Sequence, residues 1–327
     1  MNNRIIWIDW AKAIGIMIVV YCHVPQEDSF FKTFLCSFQM PLFFLVSGFL
    51  YKAPQVAFKY SIKKYWRTLI VPYILFQFIC YPYWLIQRSV QDGHDVSNYM
   101  ESVISPFAQC LWGVPIDGIT WFIFALLITK IIADVSLRCT MSTIIVILLC
   151  LGSMIGAWFI WQDDKLNITF AIDSLFNFFP FFFIGFLFKK RNIIREDSSI
   201  TCVAKSLIYF VVSYIIICHC PNNYLSQRIA FYILGLTGSL FIIYLCKLPL
   251  YIPNIIKIIS IGSIIILGLH WMFIGTTNYF LEKYLHIQDG IKYSIPESIF
   301  LVLIITILNS GIIKLCQKHF KALLGYR

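Results

Sequence analysis

The side chains best suited to chemistry in this sequence fall inside its first apolar run. Asp9, Lys12 and His23 all lie within a stretch, near 5–24, long enough to cross a bilayer. An ionisable group at membrane depth costs several kcal/mol, roughly, unless it is paired or faces a polar cavity. Lys12 and His23 stand eleven residues apart, about three helical turns, so they share one face about 16 Å apart along the axis. Asp9, one turn before Lys12, is placed to pair with it. Histidine accepts and returns a proton near neutral pH, and as a general base it normally needs a carboxylate to hold its other nitrogen. Asp173 and Glu297 are two acids expected at the depth of His23. The bland alternative is that Lys12 and His23 snorkel to opposite surfaces.

A second group of residues carries positive charge. Lys63-Lys64-Tyr65-Trp66-Arg67, followed by Ile70-Val71-Pro72-Tyr73, forms a dense basic and aromatic cluster. Such a cluster at a helix start suits phosphates, and it equally suits an anchor at the membrane surface. His270, inside a later apolar run, reads equally as a functional group or as a packed core histidine.

The elements that must hold these residues follow from composition. Of 327 residues, 59% are hydrophobic and 13% charged, about half the charge of a soluble domain. That excludes an ordinary cytosolic enzyme, a nucleic-acid binder and a disordered chain. The reading is an all-α, polytopic membrane bundle forming a single domain over 1–327. Runs of about 20 apolar residues fall near 5–24, 33–51, 68–87, 118–137, 143–161, 169–188, 206–220, 228–246, 258–280 and 297–314, ten candidate spans in all. The first run lacks a small-residue cleavage site after His23, so it is expected to be retained. In the second, Pro41 is expected to weaken the helix, while Ser47-Gly48 permits close packing.

Charge sets the expected orientation. With both termini cytosolic, nineteen of the 26 Lys and Arg residues fall on the cytosolic side and six opposite, with Lys12 inside a span. The basic excess behind the pI of about 9.0 is then topology, not affinity for nucleic acid. The 52–67 connection is expected in the cytosol. The longest connection, 88–117, is expected outside, its Tyr99 to Val114 piece lying on the surface as a lid, an acceptor platform or a spacer. Eleven cysteines lie scattered without CxxC spacing, so neither a disulfide framework nor a metal site is expected.

In order along the chain, several pieces resemble the membrane-bound acyltransferase 3 family, particularly its branch resembling fucose 4-O-acetylases. They are Asp9-x-x-Lys12 with His23, Met40-Pro41-Leu42-Phe43-Phe44 running to Ser47-Gly48-Phe49, and Lys64-x-x-Arg67 before Pro72-Tyr73. Trp121-Phe122, Asp173 before Phe178 to Gly185, and Ile261-Gly262-Ser263 leading to His270 follow. The resemblance spans nearly the whole chain and implies the family's ten helices. It also implies catalytic roles for Lys12 and His23 and an acyl-CoA site on Lys64 and Arg67; beside these, Asp173 is taken as the acid partner, with Glu297 the alternative, and Asp9 as part of the donor site. Two positions depart from the family pattern: Pro41 stands where many members have an aspartate, and Leu267-Gly268-Leu269-His270 replaces a Tyr-Leu-x-His sequence.

The expected function is therefore an inner-membrane O-acyltransferase. It would move acetyl from cytosolic acetyl-CoA to a sugar hydroxyl of a surface glycan or its lipid-linked precursor, without a metal. Expected partners are the acyl-CoA donor, the glycan acceptor and membrane lipids. A transporter or flippase of a lipid-linked or small anionic substrate, using the same polar stripe as a path, is the alternative.

Overall fold

A computed structural model of the chain describes residues 5–27, 29–52, 57–90, 97–110, 116–138, 143–162, 170–195, 197–249, 251–287 and 290–325. Among these residues it is all helical, with one isolated bridge between Gln26 and Tyr293. The long helices are α1 (Ile6–His23), α2 (Phe30–Leu50), α3 (Phe58–Val90), α4 (Trp121–Arg138) and α5 (Thr143–Gln162). They continue as α6 (Phe170–Lys190), α7 (Ser199–His219), α8 (Tyr224–Cys246), α9 (Ser263–Leu285) and α10 (Ile295–His319). Eight of these, all but α5 and α6, are long and apolar enough over their described residues to cross a membrane. The protein is a multi-pass membrane bundle.

Several helix limits differ from the hydropathy reading, each for a local reason. The third helix starts at Phe58, ten residues before the expected span at 68, and runs through a wider π turn at Trp66–Ile70. Ser61, Tyr65 and Leu69 recur every four residues and are buried, so an amphipathic turn extends the helix beneath a strongly basic surface. The basic cluster is therefore part of a helix, not of a loop. The expected span at 258–280 is broken at Gly262, which separates a short helix, Asn254–Ile261, from α9. A side chain at Gly262 would collide with Ile313. Pro41 does not interrupt α2, which is helical throughout. Of the Tyr99 to Val114 piece, Met100–Ile104 and Ser105–Cys110 are helical, and 111–115 lie outside the described residues.

The chain divides into two compact units. The first comprises Met1–Tyr51, Phe181–Ile266 and Thr276–Lys314. Here α1 packs on α2, on α8 and on the Asn254–Ile261 helix. Its core holds the fully buried Ile16, Phe38, Leu42, Phe44, Leu45, Phe182, Phe183 and Ile243. Two glycines set the packing of α2 on the second half of α6. A Cβ on Gly48 would strike the Phe182 carbonyl, and one on Gly185 would strike that of Leu45. This is backbone-to-backbone contact of the kind small residues permit in membranes. Ser29 caps α2, Ser198 caps α7 and Asn223 caps α8. Asp197 accepts from Lys205 and Lys247, each at 3.0–3.1 Å, tying α7 to the end of α8.

The second unit comprises Lys52–Pro180, Leu267–Gly275 and Leu315–Arg327. Its polar centre is Gln77 of α3. Its amide nitrogen donates to Thr120 Oγ1 at 2.9 Å and to the Tyr73 carbonyl at 3.1 Å. Its oxygen accepts the backbone N–H groups of Ile116 at 2.8 Å and Asp117 at 3.3 Å. Thr120 in turn donates to the Asp117 carbonyl at 2.8 Å. One glutamine thus folds the entrance to α4 onto α3. Asp117 is buried in that turn, and its Oδ2 has no hydrogen-bond partner among the described residues. Burial raises its carboxyl to about 7, an effect the Ile119 N–H partly offsets.

Candidate active site

The polar stripe on α1 begins at Asp9, which is buried. Ser260 Oγ donates to Asp9 Oδ1 at 2.6 Å, so the Asn254–Ile261 helix holds this carboxylate inside the first unit. Lys12 follows one turn later, half-buried between the buried Ala11 and Ala13. Small residues on either side let neighbouring helices approach here and leave room for the lysine stem.

His23 is the final residue of α1 and is half-buried. Its Nδ1 lies 2.7 Å from the carbonyl oxygen of Val19, one turn back. A carbonyl can only accept, so Nδ1 carries the proton and the neutral ring keeps its lone pair on Nε2. That is the tautomer a general base needs, and a main-chain oxygen holds it at Nδ1. Glu297 has a different task. Its carboxylate accepts from the backbone N–H of Ser294 at 2.8 Å and from Ser294 Oγ at 2.7 Å, the glutamate half of a capping box at the start of α10. Asp173 lies in the first turns of α6, and its side chain is outside the described residues.

The chain leaving α1 is held firmly. Gln26 donates to the Tyr21 carbonyl at 3.0 Å, and the Tyr293 N–H donates to that of Pro25 at 2.9 Å. Tyr293 Oη reaches Asn278 Oδ1 at 2.8 Å, so the ends of α9 and α10 support the turn after His23. Tyr21 Oη and Gln26 Oε1, on either side of His23 in the sequence, are buried without hydrogen-bond partners among the described residues.

The basic cluster belongs to the second unit. Tyr65 is buried and donates to Asp134 Oδ1 of α4 at 2.8 Å. Anchoring this one side chain inward turns its neighbours outward, leaving Lys63, Lys64 and Trp66 exposed. Arg67, three residues after Lys64 and within the π turn, is half-buried. Two cations on adjacent turns beside an exposed indole form a surface that can take phosphates. His270 lies fully buried on α9, where the neighbouring Gly268 packs against Phe76 and accepts from the Cys80 thiol at 3.3 Å.

Sequence reasoning missed Ser260, which precedes the Ile261-Gly262-Ser263 piece by one residue and carries no motif of its own. It also missed the Val19 carbonyl, which no side-chain pattern can show. Gln77 had a signal, a lone amide inside an apolar run.

Residues 5–314 match the family described as the acyltransferase domain, Acyl_transf_3. The chain belongs to the acyltransferase 3 family. No curated protein and no solved structure matches it. The match covers α1 to α9 and most of α10. The half-buried lysine and histidine of α1 and the exposed cations of α3 are thus parts of a membrane acyltransferase.

Proposed function

We propose that this acyltransferase is an O-acetyltransferase, taking acetyl from acetyl-CoA and delivering it to a sugar hydroxyl of a surface glycan or its lipid-linked precursor, in the manner of the fucose 4-O-acetylase branch. The observation that carries the reading is the His23 tautomer, whose Nε2 lone pair is set by the Nδ1 contact with Val19. In the reaction Nε2 removes the acceptor's hydroxyl proton as its oxygen bonds to the acetyl carbon. The carbon–sulfur bond breaks, and the imidazolium returns the proton to the departing CoA thiolate. Lys64 and Arg67 would hold the donor's phosphates from the cytosol, and Lys12 and Asp9 would serve donor binding and catalysis alongside His23 on α1. Both termini are cytosolic in this reading, the membrane is the inner one, and Asp173 is the candidate acid partner. The unpartnered Tyr21 Oη and Gln26 Oε1 support a hydroxyl-rich acceptor, because it brings donors and acceptors for both.

The test compares acetylation of the cell's own glycans, by mass spectrometry, with no protein, wild type and His23→Ala. Wild type should add acetyl groups, and His23→Ala should lower the rate by about 10²–10⁴-fold, the usual contribution of a general base, at equal membrane levels. Equal acetylation with and without His23 would overturn the mechanism. A transporter would turn over no acetyl-CoA at all.

A further inference from the structure

The last turn of α1 and the second turn of α2 each carry a cysteine, and the fold sets these two against each other. Gly15 of α1 packs against Leu42 and Phe43 of α2, and two turns further along this antiparallel pair the thiols of Cys22 and Cys36 meet across the α1–α2 contact. Both are free and only half-buried, whereas Cys80, Cys110, Cys202, Cys246 and Cys316 are buried. Lys32 stands on α2 one turn before Cys36. It brings positive charge to the side of Cys36, where a thiolate attacking a disulfide would form. His23 follows Cys22 directly.

We propose that Cys22 and Cys36 are a redox couple that closes into a disulfide and thereby withdraws His23 from catalysis. One cysteine thiolate attacks the disulfide of an oxidant, such as glutathione disulfide or a thiol–disulfide oxidoreductase, and expels one thiolate. The other cysteine attacks the resulting mixed disulfide, forming the Sγ–Sγ bond and expelling the second. Two cysteines are oxidised, one oxidant disulfide is reduced, and the two thiol protons pass to the leaving thiolates. A disulfide holds its sulfurs about 2.05 Å apart, much closer than two thiols in contact. Closure therefore draws the last turn of α1 towards α2. That turn contains both the Val19 carbonyl and the ring it orients, and Tyr21 within it already abuts Phe31 of α2 at 5.5 Å between ring centroids. A misplacement of about 1 Å can cost 10²-fold in rate.

The effect on activity rests on His23 being the base, whereas bond formation does not. Membranes carrying wild type, Cys22→Ser or Cys36→Ser are treated with glutathione disulfide or with a phosphine reductant, alkylated, and peptide-mapped. Transfer from labelled acetyl-CoA to the membranes' own glycans is measured in parallel. Oxidised wild type should yield a Cys22–Cys36 linked peptide and lose tenfold or more of its transfer, which reduction restores. Both serine variants should keep their transfer under either treatment. Separate alkylation of Cys22 and Cys36 after oxidation would overturn the proposal, as would a linked pair with unchanged transfer. A linked pair in membranes whose reduced form transfers no acetyl would count for the couple and against the acetyltransferase reading.

Discussion

Replacing Asp117 with Asn should stabilise the protein at pH 8 and leave it nearly unchanged at pH 4. Asp117 is buried in the turn that Gln77 organises, and burial raises its carboxyl from an ordinary 3.8 to about 7. Between those values the folded state holds a proton that the unfolded state has released. Stability therefore falls as pH rises through that window and levels off above about 7. At about 1.4 kcal/mol per pKa unit the full cost is about 4 kcal/mol, with less than half of it incurred by pH 5. Asn keeps the shape and removes the charge, and its amide occupies the place of an acid's O–H, so the variant escapes the cost. The assay is thermal unfolding in detergent, followed by tryptophan fluorescence, for both proteins from pH 4 to pH 9. Taking their difference cancels every other titrating group. The variant's advantage should open between pH 4 and 7 and then stay constant, at several degrees in Tm. Superimposable curves across the range, or a wild type that gains on the variant as pH rises, would refute the reasoning.

Two further outcomes are expected. Replacing Lys64 and Arg67 together with Gln should raise the apparent KM for acetyl-CoA at least several-fold, as for charge-assisted bonds of about 1.5–3 kcal/mol each, and leave the acceptor's KM unmoved; steady-state kinetics with each substrate varied checks this. Gly185→Ala places a methyl group against the Leu45 carbonyl, which neither backbone can yield to cheaply, and should cost about 3 kcal/mol and reduce the folded yield, read as the monodisperse fraction in detergent.

The bundle was legible because a bilayer demands long apolar runs, and α1, α2, α4 and α8 stand close to where the runs predict them. Hydropathy fails where a helix leaves the membrane. The Phe58 extension of α3 buries only Ser61 and Tyr65 in its first two turns beneath three lysines, so averaging hides it. Lys205 has the same effect on α7, which starts at Ser199 because Ser198 caps it and Asp197 pairs the lysine. Gly262 divides an apolar run in which the small Ser260 and Ser263 do not lower the average enough to mark the break, and the close contact there is with Ile313, some fifty positions away. In the candidate site, residue types and spacing on α1 were readable, and partners were not. Asp9 could be read as an acid needing a partner, but Ser260 is 251 positions distant.

The same distinction bears on how the ring of His23 is held at Nδ1. In a soluble triad a carboxylate holds the imidazole and stabilises the imidazolium, at the expense of burying a second charge. In a bilayer that second charge is more costly. The last turn of a helix offers carbonyl oxygens with unused lone pairs, and a histidine at the C-terminal residue can reach the one four positions back. Val19 and His23 stand at that spacing. The group at Nδ1 is then neutral, comes with the helix, and fixes the ring to the α1 backbone. It follows that the base is only as well placed as the last turn of α1, which explains why that turn is buttressed by Gln26, Pro25 and Tyr293. It is also why a bond between Cys22 and Cys36 would act on the chemistry without touching the ring.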